Sequence, residues 1–213
     1  MRVTKIGHCC LLVEHGGATF LTDPGGYSKG QERASGVDAV LITHEHADHL
    51  HVGSLKEVLA HNPAATVFTN AAVGALLAKE GVQFELLEGE SAAEVKGVRI
   101  EAFDAKHEEI FEEVGQVQNT GYFIGDKLFY PGDSYGTPKR PVDVLALPVA
   151  GPWCRIGDAI RYALALRPRA AFPVHDGMLQ EERYGAHHSI PQQVLAARGV
   201  EFVPMREGDV KEF

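Results

Sequence analysis

Cysteine is scarce in this chain of 213 residues: three in all, with Cys9 and Cys10 adjacent and Cys154 far downstream. That pattern excludes a disulfide framework and any Cys-x-x-Cys motif, and it fits a reducing, cytoplasmic setting. Basic runs are absent as well, since no stretch of five Lys or Arg occurs, and 20 basic residues against 29 acidic ones leave a formal net charge of -9. Such a balance repels nucleic acid and anionic membrane, so neither is an expected partner and a small molecule is. Long apolar runs are missing too. Near the N-terminus Lys5, His8 and Glu14 leave Cys9 to Val13 as the longest uninterrupted stretch, too short for a signal-peptide core, and no segment approaches the length of a membrane span. Tryptophan occurs once, at position 153.

What is there reads as an ordinary globular chain. Hydrophobic residues make up 45% and charged residues 23%, enough for a sizeable core without disulfides or obligatory partners, and 23 glycines imply many tight turns. One domain over residues 1–213 is expected, with homo-oligomerisation left open. β-type runs separated by glycines come first: Val3 to Ile6, Cys9 to Val13, and Ala18 to Thr22. Asp38 to Thr43 is a short, strongly apolar strand of the buried kind, and a helix over Val52 to Ala60 follows it.

An α/β crossover comes next: strand Thr66 to Thr69, helix Ala71 to Lys79 closed by Gly81, strand Gln83 to Leu87. Hairpin-like runs resume with Ala93 to Lys96, Val98 to Phe103, a charged stretch around Glu108 to Glu113, Gly121 to Ile124 and Lys127 to Tyr130. Asp143 to Val149 is another buried strand, followed by a helix over Ile156 to Leu166 with Ile156, Ile160, Ala163 and Leu164 on one face. Ala170 to Val174 is a strand, Pro191 to Arg198 a helix, and Glu201 to Pro204 the last strand. Asp38 to Ile42 loosely echoes Asp143 to Leu147, which hints at two similar halves. Two mixed sheets packed face to face, with helices on the outer faces, accommodate this order.

The chemistry concentrates at strand ends. Thr43 to His49 reads T-H-E-H-A-D-H, three imidazoles with the carboxylates of Glu45 and Asp48 between them, directly after an apolar strand. Neutral imidazole and carboxylate are the usual ligands of zinc and similar metals; a His-rich surface loop is the plain alternative. His107, Asp133 and His175 each follow another expected strand, where open α/β sheets place their ligands. Any one alone would pass for a surface or core residue.

Taken together, these residues resemble the metallo-β-lactamase superfamily, whose mark is His-x-His-x-Asp-His followed by a His, an Asp and a His. Within it the chain looks most like the compact hydrolases similar to ascorbate-6-phosphate lactonase, through Gly7-His8, Asp23-Pro24 and Gly132-Asp133. The resemblance implies an α/β fold, the αββα sandwich of two mixed β-sheets flanked by helices, with two divalent metal ions between the sheets. Zinc is the default, and manganese or iron fits the same ligands. His44, His46 and His107 would hold one metal, Asp48, His49 and His175 the other, with Asp133 bridging. Two cations, two aspartates and a bridging hydroxide leave the inner shell at about +1, which would attract an anionic substrate. A metal-dependent hydrolase of small phosphorylated or carboxylated esters, lactones or phosphodiesters is expected. A nuclease like ribonuclease Z and a di-iron redox module on the same fold are the alternatives; His46 stands where the di-iron motif has a glutamate.

Other positions carry open readings. Asp48 could orient the nucleophile and accept its proton. Asp23 resembles the superfamily's aspartate that hydrogen-bonds a ligand histidine, or is simply a turn residue before Pro24. His8 is read as a substrate contact and proton donor, or as a histidine hydrogen-bonded between strands. His187 and His188 are read as part of a glycine-bearing loop beyond His175, one of them reaching the mouth of the site. Trp153 and Arg155 could form an aromatic wall and a cation for an anion, against one packed Trp and one solvated Arg. Lys29, Arg33, Lys139 and Arg140 are weaker cation candidates, the three cysteines are expected as small core residues, and His15, His51 and His61 as surface. Cys9 and Glu108 stand where the subgroup often has serine, and Asp176 after His175 is a further departure.

Overall fold

The computed structural model describes every residue except Gly115, Glu181 and Arg183. Its first half lays down β1 (Arg2–Lys5), β2 (Leu11–His15), β3 (Ala18–Thr22), β4 (Ala39–Leu41), α1 (Val52–His61), β5 (Thr66–Thr69), α2 (Ala71–Lys79) and β6 (Glu85–Leu86). The second half adds β7 (Ala92–Val95), β8 (Val98–Lys106), β9 (Gln118–Ile124), β10 (Leu128–Tyr130), β11 (Val144–Pro148), α3 (Ile156–Leu166), β12 (Ala170–Val174), α4 (Gly185–Ala196) and β13 (Glu201–Phe202). A final strand, β14 (Val210–Glu212), returns to the first half. The two sheets run β14-β1-β2-β3-β4-β5-β6 and β13-β12-β11-β10-β9-β8-β7.

Both sheets are mixed. β3 to β6 are mutually parallel and β10 to β13 likewise, while the remaining neighbours are antiparallel. The apolar strands β4, β10, β11 and β12 are buried along their whole length, as strands covered on both faces must be, whereas β8 alternates buried with exposed or half-buried residues as far as Ala102. The echo between residues 38–42 and 143–147 acquires a meaning here: β4 and β11 hold the same place, each second in its parallel run. The carbonyls of Asp38 and Asp143 even accept equivalent bonds, from the next strands at Thr66 and Ala170.

Three apolar clusters make the layers. The central one packs the sheets against each other through Leu11, Phe20, Leu41, Tyr122, Tyr130 and Phe172. A second seats α3 and α4 on one sheet with Leu145, Leu147, Ile160 and Leu195, and a third seats α1 and α2 on the other with Val40, Leu55, Val73 and Leu77. This is an αββα sandwich.

Two expectations are corrected. α4 begins at Gly185, so Pro191 lies inside the helix rather than at its start, and His187 and His188 belong to the helix rather than to a loop. Proline suits a first helical turn, which made position 191 look like a beginning; the preceding turns lack the apolar periodicity that would have revealed them. The last strand is β14, not the one at Glu201. Its three residues are exposed and only Val210 is apolar, so it carries no strand pattern, yet it pairs antiparallel with β1 at the sheet edge.

Candidate metal centre

Four strand ends from two sheets meet at one place. The loop after β4 brings His44, His46, Asp48 and His49; the ends of β8, β10 and β12 bring His107, Asp133 and His175. The donor atoms of His44, His46 and His107 lie within 4.8 Å of one another, as do those of Asp48, His49, Asp133 and His175. Asp133 stands between the groups. Its Oδ2 is 2.8 Å from His175 Nε2, 3.3 Å from His107 Nε2 and 3.8 Å from His44 Nε2, while its Oδ1 is 3.1 Å from His49 Nε2. Asp48 Oδ2 is 3.4 Å from His175 Nε2 and 3.9 Å from His49 Nε2. His44, His49, His107, Asp133 and His175 are buried, and His46 and Asp48 are half-buried.

The loop is shaped from beneath. Asp23-Pro24-Gly25-Gly26 passes under it, where the Gly26 N–H donates to the Ala47 carbonyl at 2.7 Å and the His51 N–H to the Pro24 carbonyl. A Cβ on Gly25 would lie 1.8 Å from the Asp48 carbonyl oxygen, so only glycine allows this approach. Asp133 is turned into the site by Gly132 at φ 65°, where a Cβ would sit 2.3 Å from Asn119 Oδ1. Asn119 then holds the turn on both sides, donating to the Pro131 carbonyl and accepting from the Asp133 N–H.

Three of the four deep imidazoles, those of His44, His49 and His107, are oriented through their other nitrogen. Asp23 Oδ2 accepts from His49 Nδ1 at 2.7 Å, Thr43 Oγ1 at 2.7 Å and Tyr130 Oη at 2.5 Å, and its Oδ1 accepts from the Thr43 N–H at 2.8 Å. Asp23 is the acceptor in all four bonds. Since Thr43 Oγ1 gives its proton to Asp23, it accepts from His44 Nδ1 at 3.0 Å; His107 Nδ1 donates to the Glu108 carbonyl at 2.6 Å. All three rings thus carry a proton on Nδ1 and turn Nε2 inward. The Nε2 atoms of His44, His49, His107 and His175, with Asp133 Oδ1, are buried and lack a hydrogen-bond partner among the described residues.

Electrostatics follow from this crowding. Burial opposes a charge on His49 and His175, but Asp133 outweighs it and raises both well above the usual imidazole value. Burial and the charge on His49 hold His44 far below it. Burial likewise opposes charge on Asp48, yet the nearby His175 and the bond from His8 hold its carboxyl far below the carboxylate range.

His8 sits behind Asp48 in the turn between β1 and β2, fully buried. Its Nδ1 accepts from the Gly177 N–H at 3.1 Å, which leaves the proton on Nε2 to donate to Asp48 Oδ2 at 3.3 Å. Burial pushes its pKa down to about 4, so the ring is neutral near pH 7. A cleft of about 360 Å³ opens over the centre, walled by Tyr27, Ile110, Pro152, Trp153 and Met178 as well as by the ligand-type residues. His8 is not part of that wall.

The other candidates divide. Trp153 lines the cleft, and its indole Nε1 donates to Asp133 Oδ2 at 3.0 Å, whereas Arg155 is exposed and outside the lining. His187 Nδ1 donates to the Val149 carbonyl and His188 Nε2 is 2.8 Å from Asp176 Oδ2, so neither reaches the mouth. Lys29 borders a neighbouring hollow that shares Tyr27 with the cleft; Lys139 pairs with Glu90, Arg140 with Glu101 and Asp126, and Arg33 lies against Glu32. Cys9 and Cys10 are buried core residues and Cys154 is half-buried, accepting from Tyr135 Oη; Cys9 lies close beside His8, His49 and His175. His51, an expected surface residue, is exposed and caps α1 by accepting from the Ser54 N–H.

Residues 2–175 match the family described as a beta-lactamase superfamily domain, a span that contains all seven converging residues. The chain belongs to the metallo-β-lactamase superfamily. It is 35% identical over 193 residues to the Mycobacterium tuberculosis protein Rv0786c, covering 88% of this chain and 90% of that one. It is 26% identical to the UPF0173 metal-dependent hydrolase MJ1163 of Methanocaldococcus jannaschii, covering 81% of this chain and 83% of that one. Among solved structures, CmlA, a diiron beta-hydroxylase from Streptomyces venezuelae, superposes with a TM-score of 0.76 at 16% identity, over all of this chain and 54% of that one. At that identity the likeness speaks for the fold alone.

In this member of the superfamily, sequence reading missed several supports of the site: Thr43, Asn70, Asn119 and Tyr130, and the cleft residues Tyr27, Ile110, Pro152 and Met178. Asn70 Nδ2 donates to the Thr43 carbonyl at 2.8 Å while also capping α2. The one legible hint lay in Lys5, a charge inside an apolar strand. Its ammonium, 1% exposed, donates to both oxygens of Asp176 at 2.6 and 2.8 Å and to the carbonyls of Pro173 and Met205. Asp176 directly follows His175, whose backbone is left-handed at φ 63°.

Proposed function

We propose that the chain is a metal-dependent hydrolase in which His44, His46 and His107 hold one divalent cation, Asp48, His49 and His175 hold a second, and Asp133 touches both. One observation carries this reading: four imidazole Nε2 atoms and a carboxylate oxygen face one another, buried and unpaired. An apolar shell tolerates such a set only at a cost of ~1–3 kcal/mol per atom unless a cation fills the space between them. The donor set of imidazole and carboxylate suits zinc, and manganese or iron next.

When bound, such cations supply a water of pKa lowered towards ~7 and a Lewis acid for the bond under attack. The chain's own residues do the rest. Asp48, half-buried and held ionised, is placed to take the proton of the attacking water. His8 positions that carboxylate by donating from Nε2, and its own orientation is set by the Gly177 N–H. Asp23 and Thr43 fix the tautomers of His49 and His44. Trp153 restrains Asp133 and walls the cleft.

Esters, lactones and phosphodiesters of small molecules are the substrates in scope. Nucleic acid is not, because no Lys or Arg lines the cleft among the described residues. No helix among the described residues is long and apolar enough to cross a membrane, and three free cysteines suit a reducing cytoplasm. The test is metal analysis of the purified protein, followed by a hydrolysis screen of lactones, carboxylic esters and phosphodiesters. About two zinc or manganese ions per chain with metal-dependent turnover is the expected result. Bound iron with redox activity and no hydrolysis would replace this reading with a di-iron one.

A further inference from the structure

Resting on that hydrolytic reading, the cleft wall narrows the substrate. Eight large hydrophobic side chains stay exposed among the described residues, and three of them, Tyr27 at 53%, Ile110 at 36% and Met178 at 41%, wall this one cleft. Two more, Phe111 at 59% and Val114 at 47%, lie on the same loop as Ile110. Exposed apolar surface gathered around a cavity marks what the cavity takes in. Pro152 and Trp153 complete the wall.

Charge argues the same way. No described Lys or Arg lines the cleft: Lys106 beside His107, Lys29 near Tyr27 and Arg155 near Trp153 all lie outside its wall. Two divalent cations, a hydroxide and the carboxylates of Asp48 and Asp133 would leave only about +1, and Asp23, fully buried, sets a further carboxyl 2.7 Å from His49 Nδ1. Glu109, Glu112 and Glu113, all exposed, line the loop that carries Ile110. An anion arriving here meets no side-chain cation in the cleft wall, and three glutamates stand on the loop beside it.

We propose that the substrate is an uncharged carboxylic ester or lactone bearing an apolar acyl or aromatic group, rather than a phosphorylated or carboxylated compound. A cleft of about 360 Å³ stands near the lower end of small-molecule sites, which suits one ring or a short chain. In the reaction the oxygen of water bonds to the acyl carbon, and the carbon–oxygen bond to the alkoxy group breaks. The alkoxy oxygen leaves with one proton, and the new carboxylic acid gives the other to solvent.

The experiment uses the zinc-loaded full chain with three probes that share one leaving group. 4-Nitrophenyl hexanoate and the 4-nitrophenyl monoester of adipic acid differ only by a terminal carboxylate, and bis(4-nitrophenyl) phosphate is the phosphodiester. Hexanoate is expected to win in kcat/KM by about tenfold or more, mostly through KM. Binding is read separately, by quenching of the single tryptophan with hexanamide and with the monoamide of adipic acid, neither of which is labile. Hexanamide is expected to bind the more tightly, and the double substitution Ile110→Ser with Met178→Ser to shrink both preferences. Equal or better turnover of the adipate ester or the phosphodiester overturns the substrate class and leaves the hydrolase standing. Tighter hexanamide binding with no turnover of any probe supports the pocket and removes the hydrolase; failure of both amides to bind overturns the pocket.

Discussion

Asp23 sits one layer away from the proposed cations and touches none of the substrate, yet four donors converge on it. Replacing it by asparagine leaves Tyr130 and Thr43 with a partner but deprives His49 Nδ1 of a charged acceptor. Asp23→Asn is therefore expected to weaken metal affinity about 10–100-fold, measured by competition with a chromogenic chelator. If Asp23 were only a turn residue before Pro24, thermal stability would fall while affinity held. Protons compete for the same place. In the ion-free site His49 and His175 are raised well above their ordinary value, so both are protonated near neutrality and a metal must displace those protons. Apparent zinc affinity should climb steadily between about pH 6 and about pH 8, and a flat profile in competition titrations would count against the assignment.

Elements decide how precisely such residues meet, and glycine turns do much of that here. Gly132→Ala forces a side chain into a left-handed backbone and against Asn119, so a loss of about 1–3 kcal/mol is expected in chemical denaturation, together with loss of the second cation. Unchanged stability would mean that the turn relaxes without cost. The same elements show what a sequence discloses. β3, β5, α2, α3 and β12 have the bounds read from apolar periodicity and from punctuation by glycine, asparagine and proline, because their local pattern agrees with their burial. The seven converging residues were legible through their spacing and strand-end positions. β14 and the first turns of α4 were not, since their partners lie far away in the chain and leave no period behind. Nor were the cleft walls: Tyr27, Ile110 and Met178 come from three loops, and nothing local to each announces a shared surface.

At the scale of the whole molecule, Lys5 and Asp176 join the beginning of the chain to the strand that presents His175. Burial opposes charge on Asp176, but Lys5 and His188 hold its carboxyl below the usual range. Lys5→Met strands that carboxylate in the interior, and about 3–5 kcal/mol of stability should go, read as a lowered midpoint in urea. Adding Asp176→Leu should return much of it, because a buried ion pair replaced by apolar groups is often near neutral. If the double substitution proved no more stable than Lys5→Met alone, the two charges would not be acting as a pair.

The ammonium of Lys5 also grips the Met205 carbonyl, and His188 grips Asp176 from α4. All seven proposed ligands lie at or before His175 in the sequence, whereas His188 and the Met205 carbonyl, which complete the setting of Lys5 and Asp176, come after it. Residues far apart in the sequence thus share in seating His175, so a disturbance at position 5 or 188 is expected to be felt at the centre without touching it.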